Sequence, residues 1–204
     1  MSKKYMFIFD TETTGLDYTR DALWQVSCLI EDTETNMIVD KLDLKMQPKN
    51  PERIDEKLLD IFNIDSVDTM NGYMDRELAF RQFMDFIKKY SDGSITRTNT
   101  LIPCGYNVMF DMIFLQKFFK EFEHLKYTFA NYIDYHTIDI MQVVHLFAFA
   151  GALPENCTQL KLVKVAAAYG IPVSEERAHN AMYDVALTKK LKDILFKKLT
   201  IDDK

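Results

Sequence analysis

The sequence contains few cysteines, and none lies where a structural or metal-binding thiol is expected. Cys28, Cys104 and Cys157 are odd in number and far apart, and no two of them form a Cys-x-x-Cys pair. That spacing argues against a disulfide framework and against a zinc or redox motif. The three thiols are therefore expected to be small buried side chains in a reducing compartment.

Long apolar runs are missing as well. The longest, residues 143–153, contains a histidine and is well short of the roughly 20 apolar residues that a membrane-spanning helix requires. At the N-terminus, a short apolar run leads into acidic residues rather than into a cleavage site of small residues. These absences predict a soluble, intracellular protein, cytoplasmic and without membrane contact.

Positive charge is scarce relative to negative charge. The 204 residues include 25 lysines and arginines but 31 aspartates and glutamates, which gives a net charge of -6. Proteins that wrap a long nucleic acid carry a basic surface, because binding displaces the counterions of the phosphates. Any contact with nucleic acid should therefore be short, local or assisted by a metal ion.

Nothing in the composition divides the chain. It has no internal repeat, no low-complexity tract and no linker rich in proline, glycine or serine. With 48% hydrophobic residues, it is long enough to bury a substantial core. The sequence therefore predicts a single domain over residues 1–204, with a frayed tail at about 200–204.

The pattern of apolar residues predicts an α/β fold. A strand near 5–11 precedes two further runs, at 22–31 and 37–46, whose short polar connection favours an antiparallel hairpin. Strands first, and then strands alternating with helices, predict a mixed β-sheet flanked by helices. The remaining predicted elements are a helix starting at Pro51, a helix at 75–90, a strand at 100–107, a helix at 109–122, a strand at 132–138, a helix at 139–149, a helix starting at Thr158 and a helix at 181–199. Pro103 suggests an irregularity or an unpaired sheet edge in its strand.

Two carboxylates end the first predicted strand. Asp10 and Glu12 are two residues apart, so both project to the same face if the strand continues through them. Two like charges about 4 Å apart repel by roughly 4 kcal/mol at an effective dielectric constant of about 20. A divalent cation would compensate that repulsion, since such cations prefer oxygen ligands. An isolated Asp-x-Glu pair is more often only a solvated strand end, so the pair by itself is weak evidence.

A third carboxylate, Asp111, follows a later strand. It lies in a strongly apolar segment at the start of a predicted helix, shortly after Asn107. An acid at a helix start is already explained by its favourable interaction with the helix dipole, and Asn107 by a capping role. Phe110, next to Asp111, is expected to belong to the core.

The last acidic motif is AHNAMYD, residues 178–184. His179 and Asp184 are five residues apart, about 140° around an ideal helix, so they cannot share one helix face. Both can reach one site if His179 lies in the loop and Asp184 in the first turns of the helix that follows. A loop histidine without function is the alternative interpretation.

Taken in order, these motifs resemble those of the DEDDh 3′-to-5′ exonucleases, the DnaQ-like family. The motifs are Asp10-x-Glu12 followed by Thr13, Thr14 and Gly15, then Asn107-x-x-Phe110-Asp111, then His179-x-x-x-x-Asp184. The resemblance covers about residues 5–195 and implies a ribonuclease H-like mixed β-sheet flanked by helices. Gln25, Tyr106 and Val185 depart from the family's usual Glu, His and Ala, but none of them replaces an implied metal ligand or the implied base.

The resemblance also implies a mechanism. Two Mg²⁺ or Mn²⁺ ions would be bound by four carboxylates, and His179 would act as the general base. The implied metal ligands are Asp10, Glu12, Asp111 and Asp184. Residues implied in binding the 3′-terminal nucleotide are Thr13, Thr14, Leu16 and Asn107. The expected product is a nucleoside 5′-monophosphate, formed without the help of a lysine, since none adjoins a motif.

Substrate and partners stay open at this stage. A single-stranded nucleic acid 3′ end is the expected ligand, with single-stranded DNA as the expected substrate and trimming of RNA 3′ ends as the alternative. A polymerase or another replication or repair protein is the expected class of protein partner if there is one, and the oligomeric state is open. Weaker alternatives are a catalytically silent nucleic-acid-binding module and a Mg²⁺-dependent phosphatase. The lysines of the last helix are expected on a solvated face.

Overall fold

The computed structural model describes residues 4–62, 64–95, 99–174, 176 and 180–199. Their strands are β1 (Tyr5–Thr13), β2 (Leu23–Asp32), β3 (Ile38–Lys45), β4 (Ile102–Gly105) and β5 (Ile138–Asp139). These strands form one five-stranded sheet with the order β3-β2-β1-β4-β5.

Helices cover both faces of the sheet. They are α1 (Glu56–Phe62), α2 (Val67–Met70), α3 (Arg76–Ile87), α4 (Val108–Glu121), α5 (Phe129–Tyr132), α6 (Ile140–Phe149), α7 (Leu162–Ala168) and α8 (Ala181–Leu199). The predicted α/β fold with a mixed, helix-flanked sheet is confirmed. Among the described residues, no helix combines the length and the apolar character needed to cross a bilayer.

Strand β1 lies at the centre of the sheet. It pairs antiparallel with β2 on one side and parallel with β4 on the other, and β2 pairs antiparallel with β3. The predicted hairpin is therefore confirmed. Strand β1 is longer than predicted, because it continues through Glu12, which lies opposite Gln25, to Thr13.

Alternation along β1 divides the core into two layers. Phe7 and Phe9 pack on one face with residues of α3 and α4, whereas Met6 and Ile8 pack on the other with residues of α6, α7 and α8. Helices α4 and α8 therefore approach β1 from opposite faces. This arrangement decides how side chains from distant parts of the sequence meet at the end of β1.

Two helices begin later than predicted. After Pro51, a single 3₁₀ turn ends at Ile54, whose backbone is extended and whose side chain is buried against Trp24 and Met70. Helix α1 begins only after this anchor, with the Asp55 carboxylate accepting a hydrogen bond from the backbone of Leu58. Helix α7 begins at Leu162 rather than Thr158, because the preceding residue is extended.

The strand predicted at 132–138 is largely wrong. Ile133 forms only an isolated bridge with Leu101, and β5 consists of Ile138 and Asp139. Between them, the Asp134 carboxylate accepts a hydrogen bond from the backbone N–H of His136 at 3.0 Å. Such a local bond from a side chain competes with a sheet ladder, which explains the interruption.

Pro103 does not mark a sheet edge. Strand β4 lies between β1 and β5, and Pro103 is opposite Phe7 of β1. The pairing with β5 starts one residue later, at Cys104 opposite Ile138. An interior proline is accommodated because the described ladder toward β5 does not include it.

The lysines of α8 do not all face solvent. Lys192 is buried and its ammonium donates to the carboxylate of Glu31 on β2. Lys189 Nζ lies 3.0 Å from the other oxygen of Glu31. The predicted solvated face was wrong for these two residues, because β2 supplies a buried partner.

The cysteines agree in part with their predicted burial. Cys28 and Cys104 are buried, whereas Cys157 is half-buried. Burial raises the pKa of the Cys104 thiol to about 12, so this thiol stays protonated at neutral pH.

Candidate active site

Asp10 and Glu12 lie at the carboxyl end of β1, on the face that α8 covers. They are opposite Ser27 and Gln25 of β2. Burial raises the pKa of both carboxyls well above their ordinary values, and the neighbouring carboxylates of Asp111 and Asp184 raise them further. Asp10 and Glu12 therefore belong to a larger acidic cluster, which also contains Asp111 and Asp184.

Asp111 reaches this cluster from the first turn of α4. Its Oδ1 atom accepts hydrogen bonds from the Thr11 backbone N–H at 2.9 Å and from the Thr11 hydroxyl at 2.7 Å. Burial raises the Asp111 pKa to about 7, and the two bonds from Thr11 act in the opposite direction. Thr11 therefore orients one carboxylate oxygen, a role that the sequence motif did not indicate.

Asp184 reaches the cluster from α8. It is the fourth residue of that helix, and its backbone N–H donates to the Asn180 carbonyl at 3.0 Å. The Asn180 side chain accepts from the Tyr183 backbone at 3.1 Å and so caps the helix start. The predicted position of Asp184 in the first turns of a helix is confirmed, whereas His179 lies outside the described residues.

The donor set fits divalent cations. Four carboxylates from β1, α4 and α8 act on one another electrostatically, and hard oxygen ligands of this kind suit Mg²⁺ or Mn²⁺. A bound cation would favour the ionised forms that burial and mutual repulsion now disfavour. Within the described ranges, no three His, Cys, Asp or Glu side chains already stand in metal-binding geometry.

The side chains of Thr13 and Thr14, where β1 passes into the loop, form hydrogen bonds within that loop. The Thr13 hydroxyl donates to the Gly15 carbonyl at 2.7 Å, and the Thr14 hydroxyl accepts from the Ala22 backbone at 3.1 Å. Leu16, in contrast, is 84% exposed. Of the residues implied in binding the 3′-terminal nucleotide, the two threonines thus shape the loop and Leu16 projects from it.

Asp21 anchors the same loop, although no sequence pattern singled it out. Its buried carboxylate accepts from the Asp17 backbone at 2.9 Å and from the Arg53 guanidinium. A Cβ atom on Gly15 would collide with this carboxylate, so glycine is required there by close approach. The loop conformation is therefore set before any ligand arrives.

Asn107 stands at the start of α4 in the left-handed conformation, with φ of 64°. Its side chain makes no capping hydrogen bond, so the capping interpretation is wrong. Its backbone N–H donates to Asp139 Oδ1 at 3.0 Å, and the same oxygen accepts from the Met141 backbone at 2.9 Å as the N-cap of α6. The side chain of Asn107 is exposed.

A lysine lies near the cluster in space. Gln25 is opposite Glu12, Lys45 of β3 is opposite Gln25, and the Lys45 ammonium lowers the pKa of Glu12 slightly against the stronger raising effects. Gln25 itself donates to Asp43 at 2.7 Å. The hairpin register would have revealed Lys45, whereas spacing along the chain could not.

The sequence matches the model of the RNase T exonuclease family over residues 7–191. The chain belongs to this exonuclease family. The membership confirms the predicted enzyme class, a 3′-to-5′ exonuclease of the DEDDh type, and members of this family generally depend on divalent metals.

Curated relatives of this exonuclease are similar over most of their length. Ribonuclease T of Shewanella frigidimarina is 23% identical over 187 residues, which cover 90% of this chain and 78% of that protein. Ribonuclease T of Shewanella oneidensis is 24% identical over 187 residues, with the same two coverages.

Solved structures confirm the ribonuclease H-like fold. A complex of E. coli ExoI with ssDNA superposes with a TM-score of 0.74 at 20% identity and covers 97% of this chain. The nuclease domain of 3′hExo, a DEDDh family member bound to rAMP, gives a TM-score of 0.71 at 15% identity and covers 97% of this chain and 94% of that one. This exonuclease spans only 43% of the ExoI chain, so that protein contains a large part without a counterpart here.

Proposed function

We propose that this exonuclease releases nucleoside 5′-monophosphates from the 3′ end of single-stranded DNA, with two bound Mg²⁺ or Mn²⁺ ions. The proposed metal ligands are Asp10, Glu12, Asp111 and Asp184. The observation that carries the proposal is the mutual effect of these carboxylates, since acids from three elements raise the pKa values of Asp10 and Glu12. Repulsion among ionised carboxylates destabilises a fold, and a bound cation would remove that destabilisation.

The chain's own residues would hold and orient the reacting groups. When bound, the metal ions would activate a water molecule and stabilise the leaving 3′ oxygen. Thr11 fixes the orientation of Asp111 through two hydrogen bonds, and β1 aims Asp10 and Glu12 to one face. His179 is proposed as the general base, because an unperturbed histidine titrates near neutral pH.

The 3′-terminal nucleotide is proposed to lie between the loop after β1 and the start of α4. Exposed Leu16 would pack against its base, and exposed Asn107 would face it from the other side. Thr13 and Thr14 would contribute by shaping the loop, because their hydroxyls already bond within it.

RNA is the second candidate substrate. The relatives named ribonuclease T and the 3′hExo domain with bound rAMP favour RNA, whereas the ExoI complexes with ssDNA and with a dT13 oligonucleotide favour DNA. Family membership removes the support for a phosphatase, and the intact acidic cluster speaks against a silent binding module. A polymerase or other replication or repair partner, the single-domain organisation and the intracellular location stay predictions.

The test uses matched DNA and RNA oligonucleotides labelled at the 5′ end. With Mg²⁺ we expect a descending ladder of labelled products that EDTA suppresses, because digestion starts at the unlabelled 3′ end. The ratio of initial rates on the two oligonucleotides decides between DNA and RNA.

Three outcomes would contradict parts of the proposal. Immediate release of a labelled mononucleotide would mean the opposite polarity. Undiminished digestion in EDTA would remove the metal mechanism. A faster rate on RNA would replace the DNA assignment with the alternative.

A further inference from the structure

A second surface feature adjoins the loop after β1. An open cleft of about 550 Å³ separates this loop from the outer side of α4. Its lining includes Tyr18, Lys49, Ile113, Gln116, Lys117 and Lys120. None of these residues belongs to the acidic cluster.

The cleft leads away from the proposed binding site of the 3′-terminal nucleotide. Tyr18 follows Leu16 by two residues, and Ile113 follows the exposed Met109 by one helical turn. Along α4, Lys120 lies roughly 13 Å beyond Asp111 at 1.5 Å per residue. Stacked nucleotides advance about 3.4 Å each, so the cleft has room for a few of them.

Apolar and aromatic side chains are unusually exposed along this route. Tyr18 is 55% exposed, and Leu16, Met109 and Ile113 are exposed with it. Single-stranded nucleic acids bind where successive bases stack on such side chains, without regard to sequence. The route therefore offers contacts for bases next to the terminal one.

The far end of the cleft carries three lysines beside one carboxylate, that of Glu121, in a protein whose net charge is -6. Lys49 Nζ lies 3.6 Å from Glu121, which also pairs with Arg76, and Lys120 forms no ion pair within the described part of the chain. Burial and the nearby Lys49 ammonium both lower the pKa of Lys117. A phosphate next to Lys49 and Lys120 would interact favourably with both ammonium groups.

Hydrogen bonds from outside the loop hold the wall that the loop forms. Lys117 donates to the carbonyls of Tyr18 at 2.8 Å and Asp21 at 2.6 Å, and Asn50 donates to the carbonyl of Arg20. Binding of a ligand in the cleft therefore costs little conformational entropy for ordering the loop.

We propose that this cleft binds the nucleotides that precede the 3′-terminal nucleotide of a single-stranded nucleic acid, with Tyr18 stacking on a base and Lys49 and Lys120 contacting phosphates. The inference rests on the proposed exonuclease function, because it extends that function's substrate beyond the scissile nucleotide. According to this proposal, a surface outside the acidic cluster makes the enzyme bind longer strands more tightly than short ones.

The test compares substrates of increasing length. The wild-type KM should fall at least about tenfold from a dinucleotide to an eight-nucleotide strand, and the double variant Lys49→Glu with Lys120→Glu should lose most of that difference. Tyr18→Ala should weaken binding of the longer strand by about tenfold. The matched control, Lys57→Glu with Lys190→Glu, makes the same charge change at two exposed lysines outside the cleft and should behave as wild type.

A salt titration gives an independent measurement. For single strands, each lost phosphate contact reduces the slope of log affinity against log salt by about 0.7, so the double variant should lose about 1.4. If the wild type cleaves oligonucleotides but the double variant keeps the full length preference and salt slope, the cleft assignment is wrong. If the wild type cleaves none of the substrates, the proposed function itself fails.

Discussion

Helix α8 packs two largely buried charged clusters against the sheet, and the clusters differ in charge balance. In the carboxylate cluster, Asp184 meets Asp10, Glu12 and Asp111, all of one sign. In the lysine cluster, about two turns later, Lys192 and Lys189 meet Glu31 of β2. Asp193 adds a second carboxylate there, 3.2 Å from Lys192 Nζ.

The comparison separates a structural use of charge from a functional one. In the lysine cluster, opposite charges satisfy one another, so the cluster can fix how α8 lies on β2 without any ligand. The carboxylate cluster carries one sign of charge and is held together by the surrounding fold. Its unfavourable electrostatic energy is what a divalent cation would remove.

The largest expected effect follows from breaking the carboxylate cluster. Asp184→Asn keeps the shape of the side chain but removes one proposed ligand, so hydrolysis should fall by at least about 10²-fold to 10³-fold. The fold should persist, because the substitution also relieves repulsion among the acids. Steady-state digestion of a labelled strand and a thermal melt in EDTA measure the two expectations.

Asp85→Asn is the matched control, since its side chain is 79% exposed and lies outside the site. Full activity in Asp184→Asn would remove Asp184 from the proposed metal ligands.

A substitution in the lysine cluster should lower stability, whereas the substitution in the carboxylate cluster lowers activity. Lys192→Met leaves the Glu31 carboxylate buried with less compensation, so the free energy of unfolding should fall by about 3 kcal/mol. Urea denaturation measures the loss. Lys190→Met, at an exposed neighbouring position, should change stability little.

A second substitution sharpens this expectation. Adding Glu31→Leu to Lys192→Met should recover part of the loss, because no unpaired carboxylate then remains buried. A neutral effect of Lys192→Met alone would mean that the lysine cluster does not fix α8.

The smallest expected effect is stabilisation by metal ions. Mn²⁺ at 100 times its Kd should raise the free energy of unfolding by about 2.7 kcal/mol. At one fixed Mn²⁺ concentration, the stabilisation should be larger near pH 7 than near pH 5, because the Kd rises when the carboxyls are protonated. In the unfolded chain the carboxyls ionise at about pH 4, whereas Asp111 in the folded protein keeps its proton up to about pH 7.

The sign of that pH dependence follows from proton counts. Between about pH 4 and pH 7 the folded protein binds more protons than the unfolded chain, so without metal its stability falls as pH rises. A bound cation compensates the ionised carboxylates and should remove the fall. Melting temperatures that stay unchanged across a Mn²⁺ titration at neutral pH would contradict a metal site.

Local sequence patterns predicted the parts of the fold that depend on neighbours in the chain. Strand β1, the β2–β3 hairpin and helix α4 all follow from apolar spacing within a few residues. The prediction failed where a local side chain redirected the backbone, as Asp134 does before β5 and Ile54 does before α1. Aspartate and isoleucine occur in many segments without redirecting the backbone, so their residue types alone could not have predicted these interruptions.

The candidate site divides in the same way. The order of the acidic motifs led to the family, whereas Thr11, Asp21 and Lys45 were missed. Thr11 is 100 residues from Asp111, and Lys45 reaches Glu12 only across two strand pairings. Contacts of this kind depend on register and layer packing, which residue spacing does not record.

By itself, then, the sequence determined which residues are candidates for the chemistry, because a carboxylate at a strand end or helix start keeps its identity whatever surrounds it. Only the tertiary structure decided which of these charges are balanced. Glu31 and Lys192 are 161 positions apart in sequence, and Asp10 and Asp184 are similarly distant, yet one pair neutralises and the other repels. The packing of α8 on the sheet places both pairs. The sign of the partner that this packing supplies separates a structural cluster from the proposed cation site.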